Sequence, residues 1–245
     1  MTLLGIDVSS CQGANIDWRR AKAAGVYFAI VKTTEGLAGR DPQAERNIDG
    51  ARAADIKVGR YHFARVSQGR AAAQVKAVWN ASGDTMPSFV ALDLESAPDT
   101  MLGAEIVAFA EAFAEECRSY FGRWPLLYTY PSFALRLGPA LAQSSILSGC
   151  PLWIAHYKWL AEGLPPASMQ PFVPQPWTRW TIWQFSGDKG ARIPGIPTDV
   201  DRNVFAGDEA AFRAFCGTDI RADQLEPEAP VVHVLSYDDE PPDAA

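Results

Sequence analysis

Phe89-Val90-Ala91-Leu92-Asp93-Leu94-Glu95 is the stretch from which the fold can be read. It is an apolar run broken only by two carboxylates, and it reads as a strand. Successive side chains on a strand face opposite sides. Val90, Leu92 and Leu94 therefore share one face, and Ala91, Asp93 and Glu95 share the other. If the apolar face packs on helices, both carboxylates point together into an interior. Their α-carbons then lie roughly 6–7 Å apart. Two anions that close in a partly dry site cost free energy, so one is expected to hold its proton. A protonated acid beside a carboxylate is the pair that glycosidic bond cleavage requires.

The first strand, at 3–8, repeats the pattern. Leu4, Ile6 and Val8 face one way, and Gly5 and Asp7 the other. This sets a third carboxylate at a strand's C-terminal end, the face where barrel active sites form. Asp199-Val200-Asp201-Arg202-Asn203 supplies a fourth acidic candidate, with Asp199 read as a loop residue.

Further along, strand-like and helix-like segments alternate. Helices are expected at 16–24 (N-capped by Asn15), 43–55, 70–81 and 102–121. Strands are expected at 28–33, 58–63, 126–130, 152–155, 180–185 and 198–203. Alternation of this kind implies βαβ units and a parallel sheet. No GxGxxG or Walker loop marks a nucleotide-binding open sheet. The expectation is an α/β barrel whose last third is irregular. The proline-dense segment 165–177 is a loop, and its Phe172 and Trp177 are candidates to wall a cleft.

Composition narrows the function. The 245 residues are 48% hydrophobic, and the net charge is −7. No basic footprint for nucleic acid is present, and no apolar run is long enough to span a membrane. Cys11, Cys117, Cys150 and Cys216 are scattered and read as free thiols. No cluster has metal-ligand spacing, so neither metal nor cofactor is expected. The N-terminus lacks a basic n-region, so no signal peptide is expected. Residues 1–217 are expected to form one catalytic barrel. Residues 218–245 hold eight acidic residues, one basic residue and four prolines, and read as a peripheral tail.

Seven motifs resemble glycoside hydrolase family 25, the Chalaropsis-type lysozymes, in the family's order. They are Asp7-Val8-Ser9-Ser10 with Gln12-Gly13 and Ile16-Asp17-Trp18; Lys32-Thr33-Thr34-Glu35-Gly36; Gly59-Arg60-Tyr61-His62-Phe63; Leu92-Asp93-Leu94-Glu95; Leu152-Trp153-Ile154-Ala155; Trp183-Gln184-Phe185; and Val200-Asp201-Arg202-Asn203. Cys11 departs from the family's usual residue beside the Gln-Gly pair. The resemblance covers roughly residues 3–216. It implies a single irregular TIM-like (β/α)5(β)3 barrel and a β-1,4-N-acetylmuramidase. It implies Glu95 as general acid, with Asp93, Asp7 and Asp201 completing the acidic site. Tyr61, Trp153 and Gln184 match cleft-lining positions. By position on late strands, Trp153 and Trp183 are candidates to stack on sugar faces. Glu35 is expected either to touch sugar or to anchor its loop, and His62 to be a hydrogen-bonded structural residue. The expected partner is the peptidoglycan glycan strand, met by a monomer. That monomer would be made in the cytoplasm and released in phage fashion or by a non-Sec route. A non-catalytic wall-binding barrel and a chitin-like acetamido-sugar hydrolase are the alternatives.

Overall fold

The computed structural model describes residues 2–83, 86–159, 163–187 and 191–217. Nine strands form one sheet: β1 (Leu3–Val8), β2 (Phe28–Glu35), β3 (Gly39–Arg40), β4 (Lys57–Phe63), β5 (Val90–Asp93), β6 (Leu126–Thr129), β7 (Leu152–Ala155), β8 (Ile182–Ser186) and β9 (Asp201–Phe205). β1 pairs with both β2 and β9, which closes eight of them into a barrel, and β3 is a two-residue arm on the end of β2. Neighbours from β1 round to β8 are parallel, and β9 runs antiparallel to β8 and β1.

Helices α1 (Trp18–Ala23), α2 (Ala44–Ala53), α3 (Ala71–Ser82), α4 (Gly103–Phe121) and α5 (Pro131–Ala142) follow the first five barrel strands. Among the described residues no α-helix separates β7, β8 and β9, and α6 (Glu209–Gly217) comes last. This is the (β/α)5(β)3 arrangement.

Strand parity sorts the core into three clusters. Val90, Leu92 and Leu94 face outward and pack with Ile106, Phe113 and Leu137 of α4 and α5. Ile6, Val8, Ala29 and Val31 face outward beneath Trp18 and Ile48 of α1 and α2. Phe28, Ile30, Ala91, Leu126, Trp153, Ile182 and Phe205 face inward. Two glycines make room for the lowest inner layer. A β-carbon on Gly5 would lie 2.1 Å from the Phe28 ring, and one on Gly59 2.3 Å from the Phe89 ring. Helix α6 closes this end, because Phe212 and Phe215 occupy one face three residues apart and meet the inner rings. Their centroids lie 5.0 Å from Phe205 and 5.1 Å from Phe89 respectively.

Three expectations need correction. The N-cap of α1 is Asp17, whose Oδ1 accepts the Arg20 N–H at 3.0 Å, and not Asn15. Helix α5 is absent from the sequence reading because it starts on Pro131, which suits a first helical position. It is also interrupted by Gly138 (φ 59°) and Pro139, which break its periodicity. Helix α6 is absent because, although Phe212 and Phe215 mark an apolar face, its nine residues are shorter than the window over which a helical period is read. The tail expected at 218–245 lies outside the described residues.

Candidate active site

The parity that fills the barrel with phenylalanine at one end brings polar groups together at the other. Asp7, Tyr61, Asp93, Tyr128, Gln184, Asp201 and Asn203 continue the inward-facing rows of β1, β4, β5, β6, β8 and β9 at the C-terminal mouth. Glu95 follows two residues after β5, where the Leu94 N–H still bonds the Tyr128 carbonyl at 3.0 Å.

Asp7 is held by a fixed network. Its Oδ2 accepts N–H bonds from Gln184 and Asn203, both at 2.8 Å. Trp153 Nε1 donates to Asn203 Oδ1 at 2.8 Å, which fixes the amide so that its nitrogen faces Asp7. The Tyr128 and Tyr157 hydroxyls donate to Gln184 Oε1 at 3.0 and 2.9 Å, which fixes the second amide in the same sense. Asp7 and Asp201 are register partners across β1 and β9. Burial raises the Asp7 pKa against these bonds and a further one to Asp201.

Asp93 is 6% exposed, and among the described residues its Oδ1 has no hydrogen-bond partner. Burial first, and then the charge of Glu95, push its pKa well above the ordinary carboxylate range; Lys32 opposes them. Glu95 is half-buried and also raised, by burial and then by Asp7, while the charge of Lys32 and the neighbouring Tyr128 hydroxyl oppose the shift. Two neighbouring carboxyls that both resist ionisation hold a proton to higher pH than free carboxyls do.

Lys32 and Glu35 meet through a β-bulge. β2 and β4 are in register up to Lys32 and Tyr61, and then Thr34 pairs with His62 and Glu35 with Phe63. The extra residue, Thr33, reverses the parity of Thr34 and Glu35, as bulges do. Glu35 is thereby turned to the same side as Lys32, and the two pair at 2.8 Å. Arg65 Nε also bonds Glu35, at 2.8 Å. Glu35 is thus gripped by two cations. Thr34 is turned outward, where its hydroxyl meets His62 Nδ1 at 2.8 Å. His62 Nε2 faces Gln74 Oε1 at 2.8 Å, and the ring stacks on Phe113. His62 is wholly buried behind the strand and lies outside the mouth.

A second bulge lies where Gln184 pairs with Asn203 but Ser186 pairs with Arg202. It leads into Gly187, where a β-carbon would lie 2.3 Å from Asp201 Oδ1 and 2.6 Å from the Tyr157 hydroxyl. A glycine is therefore required for those groups to approach.

Trp183 does not line the mouth. It is one residue from Gln184, so it faces outward, 1% exposed, and donates from Nε1 to the His156 carbonyl at 2.8 Å. Trp153 does face inward but is 2% exposed beneath Tyr128 and Tyr61, with centroids 4.5 and 6.3 Å away. It is floor and offers no open sugar platform. Trp177 is likewise core, bonded through Nε1 to the Cys150 carbonyl. Asp199 pairs with Arg192 at 2.7 Å. Sequence reasoning missed Tyr128, Tyr157, Asn203 and Lys32 as site residues. The alternation used for Asp93 would have found the first three, since each lies two residues from an inward-facing neighbour. All four cysteines are free, with Cys11 exposed on the turn after β1. Among the described residues no group of three or more His, Cys, Asp or Glu side chains is arranged to hold a metal ion, and no helix is long and apolar enough to cross a membrane.

The model of the glycosyl hydrolases family 25 matches residues 6–196. Lysozyme M1 of Streptomyces globisporus is 32% identical over 221 residues, 86% of this chain and 70% of that protein. An N,O-diacetylmuramidase of a Chalaropsis species is 30% identical over 198 residues, 76% of this chain and 88% of that one. Among solved structures, the bacterial lysozyme from Streptomyces coelicolor superposes with a TM-score of 0.74 at 30% identity, covering 87% of this chain and 96% of that one. A family 25 lysozyme from Aspergillus fumigatus gives 0.73 at 27% identity, covering 89% of this chain and all of that one.

Proposed function

The chain belongs to glycosyl hydrolases family 25, and from that premise we propose how its mouth performs a muramidase reaction. The enzyme is a peptidoglycan hydrolase that cleaves the β-1,4 bond between N-acetylmuramic acid and N-acetylglucosamine. The observation that carries the assignment of roles is the coupled pair Asp93 and Glu95, both raised by burial, at the barrel's C-terminal mouth.

Glu95 is the general acid. It is the more exposed of the pair, so it can reach the glycosidic oxygen, and burial with the charge of Asp7 lets it hold its proton to higher pH than a free carboxyl does. Asp93 is the deeper partner. Its unpartnered Oδ1 suits an N–H donor, and the 2-acetamido group of N-acetylmuramic acid carries one. An amide N–H donated to Asp93 favours its ionised form and leaves the shared proton to Glu95. The oriented acetamido oxygen then attacks the anomeric carbon as Glu95 protonates the leaving oxygen. Water opens the resulting oxazolinium ion, with Glu95 now acting as base, and configuration is retained. Asp7, fixed by Gln184 and Asn203, and Asp201 shape the field around the developing positive charge. Tyr61 lines the cleft beside them. The enzyme works on glycan strands as a monomer, without nucleic acid or membrane as partner.

Glu95→Gln is expected to stay folded and lose about 10²–10⁴ in kcat. Digestion of purified peptidoglycan, followed by analysis of the new reducing ends, reads this directly. Near-normal release of reducing-end N-acetylmuramic acid by that variant removes Glu95 from the role. Mass spectrometry of enzyme held with a slow fluorinated substrate tests Asp93. A sugar adduct on Asp93, Asp7 or Asp201 would replace the acetamido route with a covalent carboxylate intermediate.

A further inference from the structure

Beside the mouth, a cavity of about 560 Å³ opens between the end of β2, the β3 arm and the turn after β4. Its walls include three cations, Lys32, Arg40 and Arg65, and two carboxylates, Glu35 and Asp41. The carboxylates are already engaged. Glu35 is shared by Lys32 and Arg65. Asp41 accepts the backbone N–H groups of Ser10 and Gln43 through its two oxygens, both at 2.8 Å, and so ties the turn after β1 to the start of α2. Arg40 is exposed, and its guanidinium makes no hydrogen bond or ion pair among the described residues. The cavity therefore has an excess of positive charge on the rim of an otherwise acidic mouth. It also adjoins the chemistry, because Lys32 is both a wall of the cavity and a charge felt by Asp93 and Glu95.

We propose that this cavity is a subsite for a carboxylate of the peptide stem that peptidoglycan carries on the lactyl group of N-acetylmuramic acid. The proposal rests on the muramidase reading. When muramic acid lies over Asp93 and Glu95, its lactyl arm leaves the ring within a few ångströms of the reacting carbon. The stem continues from that arm, and its carboxylates would otherwise approach Asp7, Asp93, Glu95 and Asp201 with like charge. A cationic rim turns the repulsion into a register signal. The bulge at Thr33 builds this rim, since it turns Glu35 toward Lys32 and sets the hairpin that presents Arg40. Arg40 is the free reader, while Lys32 and Arg65 are held in place by Glu35.

The test compares glycan strands bearing stems with the same strands after an amidase has removed them, a treatment that leaves the lactyl carboxylate on the sugar. For the wild type, KM is expected to be lower on stem-bearing strands, and that advantage should shrink as salt is raised. Arg40→Glu should raise KM on stem-bearing strands about three- to tenfold, with kcat unchanged. Its kinetics on stripped strands should match the wild type, which also shows that the variant is folded. Arg40→Gln should give a smaller shift in the same direction. Equal KM values for the two substrates in the wild type, or an equal penalty from Arg40→Glu on both, overturn the subsite. A larger penalty on stripped strands also overturns it and assigns the cavity to the lactyl carboxylate. If the wild type releases no muramic acid ends from either substrate, the muramidase reading itself fails, a result distinct from loss of stem preference alone.

Discussion

At the residue scale the site is held together against its own electrostatics. Asp93 and Glu95 are both pushed up by burial, Asp93 further by the charge of Glu95 and Glu95 by that of Asp7. A carboxyl whose folded pKa exceeds its unfolded value stabilises the fold at low pH, and that stability is lost as pH rises through the folded value. At neutral pH the pair is thus a destabilising feature of the fold. Asp93→Asn should raise the melting temperature at pH 7, by about 2–4 °C for each kcal/mol relieved, while turnover falls. Thermal unfolding at neutral and acidic pH checks this, since the gain should vanish in acid; an unchanged or lower melting temperature at pH 7 contradicts it. Asp7 offers a kinetic counterpart. After burial, its charge is the largest influence raising Glu95. Asp7→Asn should therefore move the alkaline limb of the kcat/KM profile to lower pH, and an unmoved limb would detach Asp7 from the acid. Parity makes most of these residues readable from sequence, because period two needs no tertiary information. It also exposes the misplacement of Trp183, which cannot share a face with its neighbour Gln184. The bulge at Thr33 is not readable, since one extra strand residue leaves no mark in the polar run Lys32-Thr33-Thr34-Glu35.

At the element scale, strands are more legible than helices. Their residues are buried on both faces and form continuous apolar runs, whereas α5 is broken by Gly138-Pro139 and α6 is short. The outer face of β4 adds a second pH dependence. His62 sits between Thr34, Gln74 and Phe113, and burial lowers its pKa from 6.5 to about 4. Between those values the unfolded chain binds more protons than the folded one. The stability that neutral His62 contributes is therefore complete above pH 6.5 and lost as pH falls toward 4, roughly 3 kcal/mol in all. Its sign is opposite to that of the mouth carboxylates. Replacing His62 with Gln should flatten the fall in melting temperature across that window; a slope identical to wild type would place the acid sensitivity elsewhere. Arg123 plays an anchoring part for α6. Its guanidinium bonds the carbonyls of Phe215, Cys216 and Ser88 and lies over the Phe215 ring at 5.7 Å. It thereby satisfies the end of the helix, where cations are favoured.

At the scale of the whole molecule, charge and core divide the chain unequally. Residues 218–245 hold eight acidic residues and one basic residue, so they carry the entire net charge of −7 and the barrel is balanced. Repulsion from anionic walls would therefore arise from that segment and not from residues 1–217. A division at Gly217 follows the change in composition there and the end of the family motifs, and its consequence can be measured. Ending the chain after Gly217 removes a segment dominated by acidic residues and prolines, and the melting temperature and activity should stay close to those of the full chain. Ending it after Ala206 removes α6 as well. Phe212 and Phe215 are 0% and 2% exposed and pack on Phe28, Phe89 and Phe205 at the closed end of the barrel. Deleting one buried phenylalanine costs about 3–5 kcal/mol. Two such losses, with the inner rings left open to water, match the whole stability of an ordinary domain, about 5–15 kcal/mol. The shorter truncation should remain active and melt cooperatively, while the longer one should lack a folding transition. Phe212→Ala, between them, should remain folded but melt lower. If the Gly217 truncation loses several degrees or its activity, the boundary is wrong and the acidic segment is part of the catalytic unit.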